Sequence, residues 1–66
     1  GHEIKPGANL WGADLTDAKL WNVDLTDANL ADTNLQAAIL SPDMIWKFSK
    51  QLSTAKNLDK IILRST

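Results

Sequence analysis

From Leu10 to Leu40 every fifth residue is a leucine: Leu10, Leu15, Leu20, Leu25, Leu30, Leu35 and Leu40. Two residues before each stands a small side chain: Ala8, Ala13, Ala18, Val23, Ala28, Thr33 and Ala38. Neither ordinary secondary structure accommodates this period. On an α-helix a step of five residues places successive leucines about 140° apart, scattered around the axis. In a flat strand an odd step sends each leucine to the opposite face. The chain must therefore adopt a structure whose own period is five.

Aligned in fives, the pattern is small, polar, leucine, variable, turn-former: Ala8-Asn9-Leu10-Trp11-Gly12, Ala13-Asp14-Leu15-Thr16-Asp17, and so on to Ala38-Ile39-Leu40-Ser41-Pro42. Leucine and the small residue two before it share a face, because alternate residues of an extended chain point the same way. Both are expected to point inward. Asp, Asn and the turn-favouring last residue suit tight bends, where their side chains bond local backbone. The alignment resembles the pentapeptide-repeat family, whose motif is Ala-(Asp/Asn)-Leu-X-X. The resemblance implies a mainly β fold, a right-handed quadrilateral β-helix (a solenoid). Each repeat would form one side of a square and four repeats one coil. Seven repeats then make under two coils, with residues twenty apart stacked: Leu10 on Leu30, Leu15 on Leu35, Leu20 on Leu40. Val23 and Thr33 depart from alanine, and the Thr33 hydroxyl needs a partner. Lys19 and Ile39 depart from Asp/Asn and fall on the same side of the square.

Pro42 ends the pattern. Ser41-Pro42-Asp43 has the chemistry of a helix start, and the spacing of Met44, Ile45, Phe48 and Leu52 predicts a helix from about Pro42 to Leu52 with one apolar stripe. A stacked solenoid leaves its last core layer open, so this stripe is expected to form a C-terminal α-helical cap. Beyond Ser53-Thr54, the residues Ala55, Leu58, Ile61 and Ile62 suit either a short helix or a return strand. The expected organisation is residues 1–7 as a tag remnant (Gly1-His2) and an N-terminal arm, 8–41 as the repeat β-helix, and 42–66 as cap and tail.

The remaining composition narrows function mostly by exclusion. Sixty-six residues allow one domain near the lower size limit. There is no cysteine, and His2 is the one histidine. No zinc spacing or phosphate loop is present, and the aspartates recur at the repeat period, as structural residues would. The chain reads as no enzyme, with no cofactor and no metal. No apolar run reaches the length of a membrane span, and the lack of cysteine and of a signal segment favours the cytoplasm. Charge is asymmetric: Asp14, Asp17, Asp24, Asp27 and Asp32 face one cation, Lys19, within the repeats, whereas Lys47, Lys50, Lys56, Lys60 and Arg64 dominate the tail. These cations are diluted by apolar residues, which argues against nucleic acid as a partner.

Trp11 and Trp21 occupy outward, variable positions and are candidate interface residues. Ten residues apart, they belong on opposite sides of the square. The expected function is a non-catalytic structural or protein-interaction module, part of a longer protein, whose partner the sequence does not name. So small a core also points to a homodimer or to contact with an upstream region. The alternative is an acidic mimic of DNA directed at a type II topoisomerase (gyrase), as in longer members of the resembled family. Fewer than two coils is short for that role.

Overall fold

Pairing at a separation of twenty residues organises this chain. The structure is a computed structural model that describes residues 4–65, so Gly1-His2 and Glu3 lie outside the described residues. Asn9 pairs with Asn29, Asp14 with Asn34, and Lys19 with Ile39, all in parallel. Backbone hydrogen bonds thread the pairs. The Leu10 N–H donates to Asn29 C=O and the Asn29 N–H to Ala8 C=O, both at 2.9 Å. Leu15, Asn34 and Ala13 repeat the arrangement, as do Leu20, Ile39 and Ala18. Residues 9–20 thus lie under residues 29–40 in a constant register.

The bends between pairs are as regular as the pairs. Each leucine C=O from Leu10 to Leu35 accepts the N–H of the small residue three positions on, at 2.9 to 3.1 Å. The last residue of each repeat sits at positive φ: Gly12, Asp17, Asn22, Asp27, Asp32 and Ala37 lie between 58° and 67°. Gly, Asn and Asp tolerate this left-handed backbone, which is why they recur at the fifth position. Ala37 has neither a missing Cβ nor a polar side chain to ease it. The polar second residue holds the other half of the bend. Asn9, Asp14, Asp24, Asn29 and Asn34 each accept the N–H two residues on through Oδ1, at 3.0 to 3.2 Å.

With the backbone satisfied in this way, the interior is left to leucine. All seven repeat leucines are buried, as are Ala8, Ala13, Ala28, Thr33 and Ala38, while Ala18 and Val23 are half-buried. The Thr33 hydroxyl donates to Leu10 C=O at 2.6 Å, and this bond offsets the cost of burying it.

After strand β1 (Ile39–Leu40) the chain turns into helix α1 (Pro42–Lys47), with Ser41 in extended conformation before it. The expected single helix to Leu52 is bent instead: Phe48 (φ −118°, ψ 27°) separates α1 from α2 (Ser49–Leu52). A straight helix would set Met44 and Leu52 about 80° apart around its axis. The bend lets both reach the core, each 1% exposed, with Ile45 and Phe48 half-buried beside them. Gln51 Nε2 donates to Leu25 C=O at 3.2 Å, which seats α2 over the Leu25 repeat.

The tail then returns to the ladder. Lys56 pairs in parallel with Asn34, and strand β2 (Ile62–Leu63) pairs with β1. Both readings of the tail hold in part, because a 3₁₀ turn at Leu58–Lys60 precedes the strand. The register is now 22 at Asn34–Lys56 and 23 at Ile39–Ile62.

Two stability outcomes follow. Ala37→Gly should raise unfolding free energy by about 1 kcal/mol, since relief of the left-handed strain outweighs glycine's entropy; a lowered urea midpoint would contradict the strain argument. Leu52→Ala should cost about 2–5 kcal/mol, read as a fall in melting temperature or outright loss of the circular dichroism transition.

Candidate functional site

Since the leucines fill the interior and the Asn/Asp oxygens serve the bends, whatever this chain does falls to its surface. Among the described residues five large apolar side chains stay exposed: Trp11 at 63%, Trp21 at 44%, Trp46 at 70%, Ile62 at 46% and Leu63 at 52%. Trp11 and Trp21 are where the sequence places them, on the variable outward position. They differ in surroundings. Trp21 Nε1 donates to Arg64 C=O at 2.8 Å, so the tail pins that ring. A shallow cleft of about 290 Å³ between Lys19, Trp21, Ile39 and Arg64 lies against it. Trp46 projects from α1 with the Lys47 ammonium 5.9 Å from its ring centre, and Lys47 also meets Asp43 Oδ2 at 3.2 Å.

Sequence reasoning did not single out Trp46 or the exposed pair Ile62 and Leu63. Trp46 lies next to the stripe residue Ile45, and only the helix position decides that it points outward. For β2, the signal lay in the apolar run Ile61-Ile62-Leu63, but its exposure depends on the tail being the last strand of the sheet.

A larger cleft of about 510 Å³ opens where α1 passes over the Val23 repeat, lined by Asn22, Val23, Asp24, Thr26, Asp43, Met44, Lys47 and Phe48. Asp24 in this cleft and Asp14 outside it are not set for acid–base work. The Thr26 hydroxyl, at 2.5 Å, and then the Thr26 N–H hold the Asp24 carboxyl below its ordinary range, with Lys47 adding attraction. The Thr16 hydroxyl and N–H do the same for Asp14. General acid–base work needs a carboxyl raised toward neutral pH, and these two are shifted the other way. Asp17, Asp27 and Asp32 serve the left-handed bends. Among the described residues no cluster of three or more His, Cys, Asp or Glu could hold a metal ion. Nor is any helix among them long and apolar enough to cross a membrane.

Comparison with known proteins agrees with this geometry. A family model described as pentapeptide repeats matches residues 7–41 in eight copies, just over half of the chain. The chain belongs to the pentapeptide-repeat family, for which a β-helix-type fold is implied. The family model takes in one copy more than the seven counted from Ala8. No curated protein and no solved structure matches the chain.

The lowered carboxyls set a pH dependence. A group whose folded pKa lies below its unfolded value stabilises the fold above the unfolded pKa. That stability is lost as pH falls through the folded one. The double variant Asp14→Asn/Asp24→Asn should keep most of its neutral-pH stability, because Asn9, Asn29 and Asn34 already fill that position. It should also lose less stability than the parent chain as pH falls below about 4, the ordinary aspartate range. Equal acid sensitivity in thermal melts would show that these two carboxylates do not contribute.

Proposed function

We propose that residues 8–41 are a short right-handed quadrilateral β-helix of under two coils, that residues 42–66 close it with a helical cap and tail, and that the whole is a non-catalytic protein-interaction module. The twenty-residue register, the burial of all seven leucines and the seating of Met44 and Leu52 over the core support the architecture. A single observation carries the function. The large rings of Trp11 and Trp46 are exposed and take no part in the hydrophobic core. Aromatic anchors of this kind are enriched in protein interfaces. The acidic DNA-mimic reading rests on the repeat aspartates alone, and no named relative stands behind it.

The module reading is tested by placing a photo-crosslinking amino acid at Trp11 and Trp46 in turn, with Gln36 as an exposed control. The expected result is one defined adduct from the tryptophan positions, lost when the other tryptophan is changed to alanine, with melting temperature unchanged by either alanine. Adducts no different from those at Gln36 would remove these surfaces from the interaction.

A further inference from the structure

The two ends of the ladder are complementary to each other. At the starting end, Asp14 turns its own N–H and C=O away from the second layer, because Ala13 and Leu15 supply the bonds to Asn34. Lys19 does the same beside Ala18 and Leu20. At the finishing end, Lys56 bonds inward to Thr33 and Leu35, which leaves Ala55 C=O and Asn57 N–H facing outward. By the same alternation Ile61 C=O and Leu63 N–H face outward from β2, whose side chains are half exposed. Both open edges therefore lie over the same two sides of the structure, with the same parallel sense.

Charge follows the same axis. The described residues up to Asp27 carry Asp14, Asp17, Asp24 and Asp27 against Lys5 and Lys19. From Asp43 onward there are Lys47, Lys50, Lys56, Lys60 and Arg64 against Asp43 and Asp59. The match is local as well as global. Lys56 lies over Asn34, which lies over Asp14. Lys60 C=O accepts the Ala37 N–H as Gln36 C=O accepts the Asp17 N–H, so Lys60 stands over Gln36 and Gln36 over Thr16, one residue from Asp17.

We propose that this chain associates with a second copy of itself head to tail, the finishing edge of one copy pairing with the starting edge of the next. The proposal deepens the interaction-module reading and rests on it. At the junction Asp14 of the added copy donates to Ala55 C=O and accepts from Asn57 N–H, with its carboxylate beside Lys56. Lys60 falls over Thr16 of the added copy, next to Asp17, and Lys19 falls opposite Ile62. Ile62 and Leu63, exposed on the edge strand, are covered by the next layer, which removes the aggregation hazard of a bare apolar edge. A two-fold contact is disfavoured by the same charges, since it would set Lys56, Lys60 and Arg64 against their own copies. The contact is heterologous and does not close, so it propagates.

Sedimentation velocity on the whole chain at low salt tests this. The weight-average mass should rise with concentration past that of a dimer and fall when salt screens the charges. Asp14→Lys and Lys56→Asp should each weaken association about tenfold or more, and circular dichroism checks that each still folds. Lysine is already accommodated at the equivalent repeat position, as Lys19. The charge-swapped double variant Asp14→Lys/Lys56→Asp should associate again, as should an equimolar mixture of the two single variants. A monomer at every concentration overturns the proposal. So does tighter association of Lys56→Asp alone, which is the mark of a two-fold contact through the finishing end. If the chain is monomeric while the tryptophan positions still crosslink to a different protein, the stacking fails and the interaction reading stands.

Discussion

The hydrogen bond from each small residue's N–H back to the leucine C=O three positions earlier governs everything else in this chain. It closes a bend every five residues, and in this chain the fifth residue of each closed bend adopts a left-handed backbone. The requirement selects Gly, Asn and Asp at that position and tolerates Ala37 at a cost. The bends set the direction of each segment. Segments four repeats apart then come into parallel register, and the register stacks the leucines. Neither the core nor the ladder exists without the bends.

How much of this was readable in advance varied with the source of the constraint. Local rules were legible. The fifth-residue period, the inward small residues and the need for a partner at Thr33 all follow from the identities of neighbours, and the Thr33 hydroxyl finds Leu10 C=O. Pro42 marked the end of the repeat because it begins a helix well and continues an extended ladder badly. The bend at Phe48 was not legible, because it arises from the need to bring Met44 and Leu52 onto the same core surface. The position of that surface is fixed by the Leu25 repeat and not by any neighbour within the helix. Exposure was also beyond sequence reach. Trp11 and Trp21 occupy equivalent repeat positions, yet Arg64 reaches one ring and, among the described residues, no tail segment is hydrogen-bonded to the other.

The acids show how a repeat can look functional without chemistry behind it. Five aspartates in nineteen residues suggest a metal site or a polyanionic surface. Asp14 and Asp24 are instead acceptors for the second residue along, and Asp17, Asp27 and Asp32 are there for their backbone tolerance. Their charge is a by-product of bend chemistry, since Asn serves the same purpose at Asn9, Asn22 and Asn29. That by-product still polarises the molecule, because the tail that completes the ladder carries the opposite sign.

The change of register from twenty to 22 and then 23 has a meaning for how such a chain can lengthen. Within the repeats, a block of twenty residues returns the backbone to the same side facing the same way. Duplicating or deleting one block would leave Leu40, Pro42 and the helix in an unchanged relation to the layer beneath. A block of five would carry the helix to a different side, away from the Leu25 repeat that receives Gln51. The extra two or three residues of the tail absorb the helix without disturbing that count. Growth by whole blocks is thus the neutral direction for this architecture, and its ending is separable from its length.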